Sequence, residues 1–124
     1  MKWRYLMIGL ALSPAGAVSA QDSSCVNPAT TLAERRCLSI TLDQADQAMG
    51  IFVDSLKTTL GEPARAALDT ASSRWLAYRH AECLAVMKSY DGGSMGLVEN
   101  LNCLIALTER RQKELRALYS TGDE

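Results

Sequence analysis

The chain has 124 residues, of which 48% are hydrophobic and 22% charged, with 13 basic and 14 acidic side chains. This length suits one domain with a core of modest stability, and the nearly balanced charge argues against a nucleic-acid partner. No apolar run reaches the roughly 20 residues that cross a bilayer, so the pattern excludes a membrane-spanning protein.

The first twenty residues have the pattern of a secretory signal peptide. Lys2 and Arg4 give a positive start, residues 5–12 form a short apolar run, and small residues precede the expected cleavage after Ala20. Removal of the leader takes the basic count from 13 to 11 against 14 acidic side chains, a net charge of about −3. We expect a periplasmic or secreted mature domain, residues 21–124, without membrane insertion and with mild attraction to basic proteins.

The first predicted helix begins at a capping box, in which Thr31 and Glu34 satisfy backbone N–H groups of the first turn. It runs to about Leu60, where Gly61 can take a left-handed stop conformation and Pro63 can open the next helix.

The second helix is expected to extend to about Tyr90, where Asp91, Gly92 and Gly93 break it. Ser94 is then expected to cap a third helix that ends near Tyr119. The sequence therefore predicts an all-α fold, a small antiparallel three-helix bundle.

Two helices show an apolar stripe at steps of three and four residues. The first stripe consists of Leu38, Leu42, Ala45, Met49, Phe52, Leu56 and Leu60. The other, on the third helix, consists of Leu97, Leu101, Leu104, Thr108, Arg111, Leu115 and Leu118. Two polar residues, Thr108 and Arg111, thus interrupt an otherwise apolar seam.

The second helix places two charges near its predicted buried face. On a helical wheel Arg79 and Glu82 lie within about 40° of Trp75, whereas His80 points outward. Because unpaired buried charges are costly, we expect Arg79, Glu82 and Arg111 to form a structural network. A catalytic acid/base group is the alternative interpretation. It is less favoured, since no second carboxylate or activated nucleophile accompanies these residues.

All four cysteines follow the leader, and an even count in an oxidising compartment favours disulfides. Cys83 and Cys103 stand about ten residues on either side of Gly93, at one height of a helical hairpin, so they are predicted to bond. By elimination Cys25 bonds Cys37. The bundle is thus stapled by two disulfides, and with wide cysteine spacings and a single histidine neither a metal nor a cofactor is expected.

Several of these residues together resemble a known family, the lysozyme inhibitor LprI N-terminal-like domain. They are the run from Trp75 to Cys83, the Gly92-Gly93-Ser94 turn, and Cys103 followed by Thr108, Arg111 and Leu115. The resemblance covers essentially the whole mature chain and implies an exported helical domain, with lysozyme inhibition attributed to a member. Members often carry Asp where this chain has His80, a departure that falls on the predicted surface.

The sequence favours a binding protein over an enzyme. The first hypothesis is an inhibitor of a lysozyme-type cell-wall hydrolase, with the Asp91, Gly92, Gly93 and Ser94 turn as the candidate contact surface. The alternative is an envelope interaction module with another protein partner, suggested by Ile40 and Ile51 opposite the core stripe.

Overall fold

The computed structural model describes residues 25–120, which contain three helices and no strand. The helices are α1 (Thr31–Thr59), α2 (Glu62–Lys88) and α3 (Ser94–Tyr119). The predicted all-α, three-helix fold is confirmed. The predicted leader, residues 1–20, lies outside the described residues.

The ends of α1 and α2 differ in detail from the prediction. Thr30 caps α1, since its hydroxyl accepts a hydrogen bond from the Ala33 amide, and the predicted cap at Thr31 is one residue late. Gly61 is the N-cap of α2 with φ −69°, so the predicted left-handed stop is wrong. Extended backbone at Leu60 (φ −98°, ψ 143°) already turns the chain, and no left-handed residue is needed.

The connection between α2 and α3 does use left-handed backbone. Asp91 has φ 49° and Gly92 has φ 75°, and the Gly93 amide donates to the Tyr90 carbonyl at 3.1 Å. Positive φ at both central residues is typical of a type I′ turn. Gly93 is the N-cap and has no side chain to cap with, so Ser94 is the first helical residue rather than the predicted cap.

Helix α3 lies against both other helices, whereas α1 and α2 make little direct contact. The core is formed by Met49, Leu56, Leu68 and Leu115, with Phe52, Val53, Leu60 and Trp75 packed around it. Leu97 and Leu118, near the two ends of the predicted α3 stripe, are exposed. In the first turns of α3 the buried residues are instead Gly96 and Val98, because this segment packs against the end of α2.

Two disulfides staple the bundle in the pairing that the spacing predicts. Cys25 is bonded to Cys37, with Cα atoms 5.0 Å apart, and Cys83 to Cys103, with Cα atoms 5.5 Å apart. Cys83 is completely buried. Cys103 is half-buried, so the second bond runs from the inside of the α2–α3 interface toward its edge.

Candidate functional site

A polar junction joins the three helices near their middle. Arg79 of α2 donates hydrogen bonds to Asp46 of α1 and to the Thr108 hydroxyl of α3, both at 2.5 Å. Thr108 is itself buried and donates to the Leu104 carbonyl at 2.8 Å. The Thr108 hydroxyl is thus satisfied both as a donor and as an acceptor, as burial of a polar group requires.

The Trp75 ring lies over the same guanidinium, with the Arg79 Cζ atom 5.1 Å from its centroid. This is within the range of a cation–π interaction. The predicted position of Trp75 beside Arg79 is therefore present in the structure, and Thr108 joins them as a partner that the wheel did not assign. Only 13% of the Arg79 side chain is exposed, so its charge has little contact with water and is stabilised by these partners.

The predicted role of Glu82 is wrong. Glu82 is exposed, and the carboxylate that pairs with Arg79 is Asp46. The reason is the orientation of α2: Cys83, about 80° from Trp75 on the wheel, is the most buried position, so the buried face is centred away from Glu82. The predicted structural network of Arg79, Glu82 and Arg111 is therefore not assembled, and neither is the alternative acid/base group of the same residues.

Asp46 is the junction residue that the sequence analysis did not predict, although its position beside the apolar stripe of α1 could have indicated it. It lies four residues after Leu42 and three before Met49, so it borders the apolar stripe of α1. A carboxylate at the edge of a buried stripe is a natural partner for an arginine within a facing stripe.

Arg111 lies near the junction but belongs to a different environment. Only 18% of its side chain is exposed, and its ion pair with Glu114 is long, with Nη1 and Oε2 3.9 Å apart. His80, in contrast, is exposed on α2 as its wheel position predicts.

The Asp91 to Ser94 turn is exposed throughout. The Cys83–Cys103 disulfide and a hydrogen bond from the Asn100 amide to the Cys83 carbonyl, 2.9 Å long, join α2 to α3 about two helical turns from it. Gly96 packs even closer: a Cβ atom there would lie 2.7 Å from the Met87 carbonyl oxygen. The turn is thus a small polar projection beyond a close contact between α2 and α3.

Residues 25–120 hold no cluster of histidine, cysteine or acidic side chains that could bind a metal ion. Within this same range, no helix is both long enough and apolar enough to cross a membrane.

Comparison with known proteins gives one clear result. No curated protein and no solved structure matches the chain. The model of the family described as lysozyme inhibitor LprI matches residues 23–115. The matched region contains both disulfides, the polar junction and the Asp91 to Ser94 turn, and the chain therefore belongs to the LprI lysozyme inhibitor family.

Proposed function

We propose that this protein is an exported inhibitor of a lysozyme-type cell-wall hydrolase, which acts by binding the enzyme and has no catalytic activity of its own. The observation that carries the proposal is the family match over residues 23–115. Two disulfides suit a compartment outside the cytoplasm. The signal-peptide pattern of residues 1–20 supports the same location, periplasmic or secreted.

The proposed contact surface is the Asp91 to Ser94 turn. Lysozymes hydrolyse glycosidic bonds with two carboxylic groups in an open cleft, one of which stays protonated in an apolar pocket. Gly92 and Gly93 have no side chain and Ser94 has a small one, so the turn is narrow enough to enter such a cleft. Helix α3 begins without a side-chain cap, so the backbone N–H groups of Ser94 and Met95 are available to a carboxylate, together with the Ser94 hydroxyl. The Gly96 amide already donates to the Gly93 carbonyl.

Charge supports a basic target. The domain that follows the predicted leader carries about three more acidic than basic side chains, and complementary charge accelerates association more than it strengthens the complex. A lysozyme, commonly a basic protein, is such a target. The predicted inhibition weakens as salt shortens the Debye length from about 10 Å at 0.1 M to about 3 Å at 1 M.

The test is a turbidity assay in which lysozyme clears a suspension of bacterial cell walls. The purified protein should slow clearance by chicken-type, goose-type or invertebrate-type lysozyme and should clear no cell wall when added alone. Absence of inhibition of all three enzymes at tens of micromolar would contradict the proposal. It would favour an envelope interaction module, which would use the exposed Ile40 and Ile51.

Matched variants locate the contact surface. Asp91→Asn keeps the left-handed backbone, because Asn tolerates positive φ, and Ser94→Ala removes only the hydroxyl. Together they should weaken inhibition about tenfold or more, because Asp91 loses the negative charge that attracts a basic enzyme and Ser94 loses the hydroxyl that donates to a carboxylate. Asp43→Asn and Ser73→Ala change the same groups at exposed positions of α1 and α2 and should leave inhibition unchanged. Equal inhibition by both pairs would place the contact elsewhere.

A further inference from the structure

A cleft opens between α1 and α2, with α3 as its floor. Its volume is about 250 Å³. The apolar part of its lining consists of Met49, Val53, Trp75, Leu76 and Leu115. Arg79, Arg111 and Asp46 also line it, so an apolar cleft carries two guanidinium groups and one carboxylate.

The cleft exists because α1 and α2 are held together without packing closely. The Asp46–Arg79 ion pair joins them on one side, and a second ion pair, Lys57 with Asp69, joins them on the other. Between these bridges α1 has Gly50, where an added Cβ atom would meet no atom within 4 Å. The missing side chain of Gly50 thus leaves the cleft open between fixed walls.

The two arginines of the cleft differ in how fully they are paired. Arg79 is balanced by Asp46 and hydrogen-bonded to Thr108. Arg111 has only the 3.9 Å ion pair with Glu114, more than half of whose side chain is exposed. In the part of the chain that the structure describes, its guanidinium donates no hydrogen bond, although such a group has five N–H donors. Arg111 therefore offers unused donors and positive charge at the wall of an apolar cleft.

We propose that this cleft binds a small apolar carboxylic acid of the size of a medium-chain fatty acid. The carboxylate would accept hydrogen bonds from the Arg111 guanidinium, whose planar fork matches it. The carbon chain would lie against Met49, Val53 and the Trp75 ring. The cleft volume lies just under the roughly 300 Å³ at which sites for small molecules usually begin, which limits the ligand to one chain of medium length.

The site is independent of the proposed lysozyme contact. Arg79, which lines the cleft, precedes the end of α2 at Lys88 by more than two helical turns, and the Asp91 to Ser94 turn lies beyond that end. Binding of an acid in the cleft can thus be present or absent whatever the outcome of the inhibition assay.

Titration of the purified protein with decanoate, below its micelle concentration, tests the proposal. Trp75 is a built-in reporter, because the only other tryptophan, Trp3, lies in the predicted leader. Decanoate should change the Trp75 fluorescence saturably and give a matching calorimetric isotherm. Decan-1-ol, with the same chain and no charge, should bind about tenfold more weakly. Absence of saturable binding, or equal affinity for both ligands, would overturn the proposal.

Variants separate this cleft from non-specific adsorption. Gly50→Leu should abolish binding by filling the cleft, whereas Ala48→Leu, at an exposed position of α1 outside the lining, should bind as wild type. Arg111→Gln should weaken decanoate binding about tenfold and leave decan-1-ol unchanged. Circular dichroism at 222 nm shows whether each variant is folded. Unchanged decanoate affinity in Gly50→Leu or in Arg111→Gln would refute the assignment, and Arg111→Gln decides alone if Gly50→Leu is unfolded.

Discussion

Two regions of the molecule each contain a helical glycine, for opposite reasons. Where α2 meets α3, a Cβ atom on Gly96 would lie 2.7 Å from a backbone oxygen, whereas where α1 faces α2 a Cβ atom on Gly50 would meet nothing. The first region is closed by a disulfide in which Cys83 is completely buried. The second region is spanned by two ion pairs over an open cleft. Gly96 thus allows two helices to approach closely, whereas Gly50 leaves a space between helices that no side chain fills.

The closed region should contribute most to stability. Replacement of Cys83 and Cys103 together by alanine removes a cross-link over 20 residues, and the chain-entropy model expects a loss of about 3 kcal/mol. Urea unfolding followed by circular dichroism measures it. Replacement of Cys25 and Cys37 should cost less, since both are only half-buried. A larger loss from the Cys25–Cys37 pair would reverse the ranking.

Gly96→Ala should be the next most damaging change. The added methyl group cannot reach a normal distance from the Met87 carbonyl oxygen without moving α3 away from α2. Overpacking of this kind costs about 1 to 3 kcal/mol, which exceeds the helix-propensity gain of alanine over glycine. The midpoint of urea unfolding should fall. An unchanged midpoint would mean that the two helices do not meet as closely as described.

Asp46→Ala should have an intermediate effect. It leaves the largely buried Arg79 without its carboxylate, while Thr108 still accepts one hydrogen bond. Because 43% of the Asp46 side chain is exposed, solvent screens the pair and we expect a loss of about 1 kcal/mol.

The matched control for Asp46→Ala is Glu82→Ala. Glu82 is exposed, so its removal should change stability by no more than about 0.5 kcal/mol. Equal losses from the two variants, measured in the same urea titration, would contradict the pairing of Arg79 with Asp46.

Apart from the control, Gly50→Ala should have the smallest effect, and its effect should have the opposite sign. Its methyl group enters open space, and alanine is favoured over glycine in a helix interior by about 0.5 to 1 kcal/mol. The midpoint of urea unfolding should therefore rise. A lower midpoint would contradict the prediction and would show that the cleft wall at Gly50 has no room for an added methyl group.

The fold was largely predictable because local signals for it are strong. Apolar residues at steps of three and four, breakers around Gly61 and Gly93, and cysteines placed symmetrically about a turn define helices and staples without long-range knowledge. The cleft was not predictable. It depends on how far apart α1 and α2 lie, and a wheel drawn for one helix contains no information on that distance.

The polar junction was predictable only in part. The wheel of α2 placed Arg79 near Trp75, and the α3 pattern placed Thr108 within its buried stripe, but neither pattern showed that the three side chains meet. The carboxylate was misassigned to Glu82 because the wheel was centred on Trp75, whereas the disulfide turns Cys83 toward α3. To choose between Glu82 and Asp46 as the partner of Arg79, one must know which side chains of α1 face α2. Helix propensity and residue spacing within α2 contain no information on that.

The junction of Asp46, Arg79 and Thr108 also determines how the three helices are aligned along their axes. Leucine-rich faces look alike after each turn of about 5.4 Å, so apolar packing alone permits one helix to slide along another. Only one axial register brings a carboxylate, a guanidinium and a hydroxyl to the same point, and any slip strands buried charge. We therefore expect the triple replacement by Leu, Met and Val to remain helical while its amide NMR signals broaden or multiply. Sharp single signals would show that the register is specified elsewhere.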